Sequence, residues 1–270
     1  DKTILIRNAL AIVTCDAEDH VYGHGDLLVR GPHFSNGYFA NGIVVKNAWY
    51  PMLDNVKITS EYGDSHGKMA AGFALLDCYS PLVDKCYFWG GAEYGLLYRS
   101  EIDSEDGIVS DCYFVGQDTG IRVRLSARTD GWGEPAFHLT DSHIHYKVKG
   151  LALKGIRQGF VSGNLFYCFN RAASRWHADP DSVSSYTSKD IECDAVNDFI
   201  VSHNQFAEPA SPKRVCIDIL PNSGNLLIDG NIFNMDGTAI RNRSQVSSRC
   251  IGNVYTGSPD FTKSANGANA

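Results

Sequence analysis

The sequence predicts an all-β fold, a right-handed parallel β-helix (a solenoid) of about eight or nine rungs. A six-residue unit recurs along the 270 residues, and a short strand with alternating apolar residues precedes each copy from the second onward. Gly, Asn, Asp and Ser separate these runs, which is typical of strands and turns. Two strands in each short repeat favour a coil of parallel sheets over a propeller, whose blades need roughly 40 residues.

The recurring unit has an aliphatic residue, two small or polar residues, a small residue or Asn, any residue, and then an apolar residue. Its copies occupy residues 29–34, 53–58, 83–88, 109–114, 139–144, 161–166, 201–206, 228–233 and 250–255. Asparagine holds the fourth place in the last four copies, at Asn164, Asn204, Asn231 and Asn253. In a coil these amides would stack one per rung, about 4.8 Å apart, and hydrogen-bond along an internal column. Cys86, Cys112 and Ser142 would continue the column in earlier rungs.

Composition restricts the function and the compartment. A net charge of -7 argues against a general nucleic-acid binder, and no apolar run reaches the roughly 20 residues of a membrane span. The eight cysteines form no CxxC pair and no Cys/His cluster, so we predict reduced thiols, no metal site and no cofactor. Reduced cysteines favour folding in a reducing cytoplasm.

The repeat predicts one β-helix domain over residues 1–256, followed by a C-terminal linker or tail at 257–270. The first residues enter an apolar strand at once and do not read as a signal peptide. We therefore expect a fragment of a longer chain.

In its repeat, asparagine column and rung length, the chain resembles the pectate-lyase-like right-handed β-helix superfamily, and within it the tailspike depolymerases of bacteriophages. The resemblance covers roughly residues 25–256. It implies a location in the virion, at the phage tail, and a homotrimer. The paired-Asp, Gly-His-Gly and Arg-x-Lys motifs of polygalacturonases are not present as such, although Arg122-Val123-Arg124 is similar to the last. The calcium-site pattern of pectate lyases is also missing from the sequence.

Strand alternation places one set of charged residues on an outer wall. The set comprises Arg99, Arg122, Arg124, Lys154, Glu192, Asp194, Asp218 and Arg241. Asp194 and Asp218 are predicted to share one register in successive rungs, with Glu192 nearby on the same face. Carboxyl groups this close raise the pKa of one member, which provides the acid and base of glycoside hydrolysis. Asp194, Asp218 and Glu192 are therefore the predicted catalytic residues.

The longest insertion, between Phe166 and Ile191, is expected to shape a groove beside these acids. Its aromatic residues could stack on sugar faces and its arginines could bind acidic groups. With three basic residues of the wall, this predicts the substrate-binding residues Trp176, Tyr186, Arg171, Arg175, His177, Lys154, Arg124 and Arg122. His33, His143, His145 and His203 are predicted to be structural.

These observations predict a tailspike-type glycoside hydrolase that acts on a bacterial surface polysaccharide. One alternative is a polysaccharide lyase on an acidic polysaccharide, in which Lys154 or Arg124 acts on the sugar. Another is a non-catalytic glycan-binding or structural shaft. Asp130 and Glu134 are the reserve catalytic candidates.

Overall fold

The computed structural model describes residues 3–13, 21–30, 33–34, 41–59, 69–101, 105–126, 135–168, 188–207, 214–234, 237–256 and 259–260, with side chains between residues 42 and 256. The strands are β1 (Thr3–Val13), β2 (Val21–Arg30), β3 (His33–Phe34), β4 (Asn41–Lys46), β5 (Met52–Asp54), β6 (Lys57–Thr59), β7 (Met69–Leu76), β8 (Leu82–Asp84), β9 (Tyr87–Trp89), β10 (Ala92–Ser100), β11 (Gly107–Ser110), β12 (Tyr113–Leu125), β13 (Ala136–Thr140), β14 (His143–Lys154), β15 (Gln158–Ser162), β16 (Leu165–Cys168), β17 (Lys189–Asp194), β18 (Asn197–Ser202), β19 (Gln205–Ala207), β20 (Val215–Ile219), β21 (Gly224–Asp229), β22 (Ile232–Asn234), β23 (Gly237–Asn242), β24 (Arg249–Ile251), β25 (Val254–Thr256) and β26 (Pro259–Asp260).

Parallel pairing arranges the strands from β2 onward into three faces of a coil, and β1 pairs antiparallel with β2. The first face contains β2, β5, β8, β11, β13, β15, β18, β21 and β24 in that order. The second contains β3, β6, β9, the first halves of β12 and β14, and then β16, β19, β22 and β25. The third contains β4, β7, β10, the second halves of β12 and β14, and then β17, β20, β23 and β26. The chain is thus an all-β, right-handed parallel β-helix, and the prediction of eight or nine rungs is confirmed.

Each described rung crosses three faces, whereas the sequence predicted two strands per rung, because the six-residue unit itself bends. Its third residue has a left-handed backbone in every described copy, with φ of 54° at Asn55, 51° at Asp111 and 72° at Gly163. Asn, Asp and Gly adopt this conformation at least cost, which explains the small or polar third place. The unit therefore ends one strand of the first face and begins the next strand of the second face.

The fourth place of the unit points into the coil, as predicted. Asn164 donates from Nδ2 to Oδ1 of Asn204 at 2.9 Å, and Asn204 and Asn231 each repeat this bond one rung further, at 3.0 Å. The same Oδ1 atoms accept the backbone N–H of the preceding rung, at 3.0 Å in each case. One amide column thereby satisfies the buried backbone at this corner of the coil.

Smaller side chains extend the column, which confirms the predicted continuation. The backbone N–H of Ser142 donates to Oδ1 of Asn164 at 2.9 Å, and that of Cys112 donates to Oγ of Ser142 at 3.0 Å. The N–H of Cys86 then approaches Sγ of Cys112 at 3.3 Å. The seven cysteines in the described part of the chain form no disulfide, and six of them are buried. In the described ranges, no helix has the length and apolar character needed to span a membrane.

Candidate functional site

The outer side of the third face is a charged wall. The register of β10, β12, β14, β17, β20 and β23 aligns its members across the rungs. We define the charged wall as Arg99, Arg122, Arg124, Lys149, Lys154, Lys189, Glu192, Asp194, Asp218, Arg241 and Arg243. The outward orientation predicted for the charged residues of these strands is therefore found. Lys149, Lys189 and Arg243 are members that the sequence analysis missed.

The predicted register of the acids was wrong by two residues. Asp218 lies opposite Glu192, whereas Asp194 lies opposite Lys154. Alternation could not reveal this, because a shift of two residues keeps every side chain on the same face of the sheet. The adjacent carboxylates of the wall are therefore Glu192 and Asp218, whose Cα atoms are about 5 Å apart as in any neighbouring pair of strands.

Basic side chains surround this carboxylate pair. The Lys189 ammonium bridges it, contacting Oε2 of Glu192 and lying 2.9 Å from Oδ2 of Asp218. Arg241 donates to both oxygens of Asp218, at 3.0 and 2.7 Å, and Arg243 adds a bond of 2.8 Å. Asp218 has no exposed surface although it points away from the core. It is the centre of an ion-pair network.

The expected rise in pKa is not found at either member of the pair. Burial alone would raise the pKa of Asp218, but hydrogen bonds from Arg241 and Lys189 outweigh it and lower the pKa to about 2. Burial alone would also raise the pKa of Glu192. Hydrogen bonds from Lys149 and Lys189 outweigh the effect of burial, so the pKa of Glu192 is lowered as well. Both groups are ionised at neutral pH, so they have the charge of a base or nucleophile and not of a general acid.

The remaining predicted site residues fall in two groups. Lys154 pairs with Asp194 at 2.8 Å and is about half exposed, and Arg124 is exposed in the neighbouring rung beside the half-buried Arg122. Trp176, Tyr186, Arg171, Arg175 and His177 lie outside the described residues, as do Asp130 and Glu134. The catalytic and substrate-binding roles of all these residues stay predictions.

A row of aromatic side chains lies on the outer side of the second face. We define the aromatic row as Tyr87, Trp89, Tyr113, His143, His145 and Tyr167. These residues alternate with the inward Phe88, Phe114, Ile144 and Phe166 of the same strands, which are fully buried. The row follows from the fifth place of the unit and from the residue directly after the unit, both of which point outward.

Several rings of the row lie within stacking distance of one another. The ring centroids of Tyr113 and His143 are 4.5 Å apart, and those of His145 and Tyr167 are 5.0 Å apart with an angle of 29°. His143 and His145 are 6.1 Å apart on β14 and link the two pairs. Desolvation, with the neighbouring His143, lowers the pKa of His145 to about 4, so this ring is neutral at physiological pH. The prediction that these histidines are structural did not anticipate their outward stacking.

A second feature that the sequence analysis missed lies inside the coil. Asp190 and Arg214 are both fully buried and form a two-point ion pair, with Nε–Oδ2 at 2.9 Å and Nη2–Oδ1 at 2.7 Å. The hydroxyl of Tyr146 donates to Oδ1 of Asp190 at 2.6 Å. Arg214 also donates to the carbonyl of Ala207 at 2.8 Å. This network lies behind the charged wall and positions the start of β17 and β20.

Among the described residues, no group of three or more His, Cys, Asp or Glu side chains is arranged to hold a metal ion. No protein-family model and no curated protein sequence matches the chain. Several solved structures do match in shape.

A mutant tailspike protein of E. coli bacteriophage HK620, in complex with a pentasaccharide, matches 84% of this chain at 14% identity and a TM-score of 0.54. The periplasmic alginate epimerase AlgG matches 79% at 13% identity and 0.52. PfbA, a surface adhesin of Streptococcus pneumoniae, matches 77% at 13% identity and 0.51. The chain has the fold of the right-handed β-helix proteins.

The predicted resemblance in fold to tailspike-like β-helix proteins is thus confirmed. This chain covers 46% of the tailspike chain, 47% of the epimerase and 56% of the adhesin, so it spans about half the length of each. At this identity the likeness concerns the fold, and the activity has to be argued from the charged wall and the aromatic row.

Proposed function

We propose that the chain is part of a tailspike-type protein that binds and cleaves a bacterial surface polysaccharide along the second and third faces. The observation that carries the proposal is the aromatic row, which runs beside the charged wall on the same strands, β12 and β14. The names of two similar structures, a tailspike solved with a pentasaccharide and an alginate epimerase, support a carbohydrate polymer as the ligand. A phage-tail location belongs to the same proposal.

The aromatic row suits a sugar chain because Tyr, Trp and neutral His each combine an apolar ring with a polar tip. Trp89 and Tyr113 are 41% and 42% exposed, which is high for large rings on a sheet. Trp89 and Tyr113 face the solvent in neighbouring rungs, so an extended polymer lying along the coil would meet them in turn. Each sugar would place its C–H face on a ring and its hydroxyl groups near the polar tips.

The charge of the wall favours an acidic polysaccharide. By its definition the charged wall has eight basic and three acidic residues, an excess of five positive charges on a chain whose net charge is -7. The exposed basic groups of the wall are Arg99, Arg124, Lys154 and Arg243. Local positive potential on an otherwise negative protein attracts an anionic polymer and orients it.

Binding can be tested with Tyr113→Ala and His143→Ala, on an array of bacterial surface polysaccharides and then by calorimetry with the polysaccharide that binds. Each variant should weaken binding by at least about tenfold, which is about 1.4 kcal/mol. Ile232→Ala is the matched control, because Ile232 occupies the same outward column and is 43% exposed, but lies outside the row. An equal loss in the control, or a wild-type chain that binds no arrayed polysaccharide, contradicts the proposal.

Cleavage is proposed as glycoside hydrolysis, in which the ionised Glu192 or Asp218 is the base or nucleophile and Asp194, the third candidate, is assigned as the proton donor to the leaving glycosidic oxygen. Glu192→Gln, Asp194→Asn and Asp218→Asn should each be assayed for release of reducing ends. A catalytic role predicts a loss of at least about 100-fold while binding persists. Ultraviolet-absorbing unsaturated ends would instead indicate a lyase, and unchanged polymer length a binding shaft.

A homotrimer is the proposed assembly, and the first face offers a surface for it. Seven outward residues in consecutive rungs, six apolar and one histidine, form a column: Met52, Leu82, Ile108, His138, Phe160, Ile200 and Leu227. Met52, Ile108 and Ile200 are about 40% exposed, and an apolar strip of this length is unusual on a free surface. Copies with a net charge of -7 repel one another, so an uncharged column is the part of the surface on which they can approach.

The assembly is tested by Ile108→Glu and Ile200→Glu, with the molar mass measured by light scattering. We expect a trimer for the wild type and monomers for both variants. Val44→Glu serves as the control, because Val44 is 49% exposed on the third face. A wild-type monomer, or a trimer that persists in both variants, contradicts this assembly.

A further inference from the structure

Three aromatic rings cluster at the corner between the third and first faces, away from the aromatic row and the charged wall. Trp49 and Tyr50 follow β4, and Tyr79 occupies the place of Trp49 one rung later. Trp49 is 50% exposed and Tyr50 is 58% exposed. Neither the proposed polysaccharide site nor the core uses these rings.

The rings are arranged as a platform. Trp49 stacks on Tyr79 with centroids 4.6 Å apart and an angle of 22°. Tyr50 stands edge-on to both, 5.6 Å from Tyr79 at 90° and 6.2 Å from Trp49 at 71°. The hydroxyl of Tyr79 donates to the carboxylate of Glu105 in the following rung. The cluster therefore combines an exposed ring surface with a fixed hydrogen-bond acceptor.

Tyr50 keeps this position at a conformational cost. Its φ is 53°, a left-handed backbone that costs a bulky residue roughly 1–2 kcal/mol. The next rung has Ser80 at the equivalent place, with φ of 45° and a proline following in both rungs. The corner itself thus needs only a small polar residue. A strained, exposed tyrosine where a serine suffices is the pattern of a functional position.

We infer that Trp49, Tyr50 and Tyr79 form a second carbohydrate-binding site, which takes a neutral sugar unit. The C–H face of a pyranose matches the exposed ring surface, and its hydroxyl groups can donate to carboxylates at this corner. Those carboxylates belong to Glu105 and to Asp77, which accepts the backbone N–H of Glu101 at 2.9 Å. Two negative groups beside the platform disfavour an acidic sugar, in contrast to the charged wall.

The inference extends the proposed function, on which it rests for the nature of the ligand. In a polymer with both acidic and neutral units, the acidic units would contact the charged wall and a neutral unit would contact this corner. Two linked contacts on one polymer raise the overall affinity well above that of either site.

Saturation-transfer NMR on the whole chain tests the inference, with methyl glycosides of glucose, galactose, mannose, rhamnose and N-acetylglucosamine as probes. At least one glycoside should receive saturation from the wild type, and Trp49→Ala should abolish it. Tyr50→Ser, which copies the residue of the next rung and so keeps the corner, should weaken that signal at least about threefold. Val44→Ala is the matched control, because Val44 lies on β4 in the same rung, is 49% exposed and should leave the signal unchanged.

The outcomes separate this inference from the proposed function. If Tyr113→Ala abolishes the signal while Trp49→Ala preserves it, the sugar binds the aromatic row, and the second site is refuted while the proposed function stands. If no glycoside receives saturation but the chain binds an arrayed acidic polysaccharide, the second site is again refuted alone. If Trp49→Ala abolishes the signal and Tyr113→Ala preserves it, the corner binds sugar whatever the wall does.

Discussion

Arg214 and Asp190 form a two-point ion pair inside the β-helix, and neither side chain has any exposed surface. Because Tyr146 and the carbonyl of Ala207 supply further hydrogen bonds, the polar atoms of the pair are satisfied without water. Such a pair contributes little when compared with apolar residues of the same size, but it strongly disfavours any register that separates its members. We infer that this ion pair holds β17 and β20 in register behind the charged wall.

Replacing one member of the Arg214–Asp190 pair should therefore lower the free energy of unfolding far more than replacing both members. Arg214→Ala leaves the carboxylate of Asp190 buried without its partner and should lower the free energy of unfolding by about 3–5 kcal/mol. The double variant Asp190→Leu with Arg214→Met should recover most of that loss. Urea unfolding of the wild type and of the two variants measures the difference. A cost below about 1 kcal/mol for Arg214→Ala would show that the pair does not hold the register.

The asparagine column should be sensitive at its centre. Asn204→Ala removes the Oδ1 that accepts from both the backbone and Nδ2 of Asn164, and it removes the donor to Asn231. Buried groups left unsatisfied cost about 1–3 kcal/mol each, so we expect a loss of at least about 3 kcal/mol in urea unfolding. Asn253→Ala is the control at the half-buried end of the described column and should cost clearly less. Equal losses at both positions would argue against a cooperative column.

Because of Asp218, the free energy of unfolding should depend on pH in the acidic range. Its pKa is about 2 in the folded chain and ordinarily 3.8, so its contribution is complete above about pH 4 and is lost as the pH falls toward 2. The corresponding free energy is about 2 kcal/mol. Unfolding of wild type and Asp218→Asn should differ most at pH 7, and the difference should shrink below pH 4. Asp194→Asn should cost less than about 1 kcal/mol, because its partner Lys154 is about half exposed.

The fold could be predicted because its signals are local and repeated. A left-handed third residue and an inward fourth residue recur in each described unit, and both leave a compositional trace, as in Gly163-Asn164 and Gly230-Asn231. The inward or outward orientation of each strand residue follows from alternation alone. These features need no knowledge of neighbouring rungs.

The site could be predicted only in part, because it depends on how rungs align. Alternation placed Asp218 on the outer wall but not beside Glu192, since a two-residue shift preserves the pattern. The pKa of Asp218 depends on Lys189 and Arg241, which lie 29 and 23 residues away in sequence. The buried position of Arg214 was missed because a charged residue at the start of a strand ordinarily faces solvent. Its partner Asp190 lies 24 residues away in sequence, so the pairing also depends on how the rungs align.

His145 provides a pH-dependent test of the aromatic row that does not require a ligand. Burial and the neighbouring His143 lower its pKa to about 4, whereas an unfolded histidine has a pKa of about 6.5. Between these values the unfolded chain binds a proton that the folded chain does not, so stability must fall as the pH falls from 6.5 toward 4. From pH 7 to pH 5 the loss should be about 2 kcal/mol.

His145→Phe should remove this part of the pH dependence, because the ring keeps its stacking position against Tyr167 but takes up no proton. Urea unfolding at pH 7 and pH 5 compares the two proteins, and NMR should place the titration of His145 itself near pH 4. A His145 that titrates near 6.5, or a variant with the same loss of stability as wild type, would mean that the ring is solvated. It would then stand away from the stacked surface on which we propose that sugars bind.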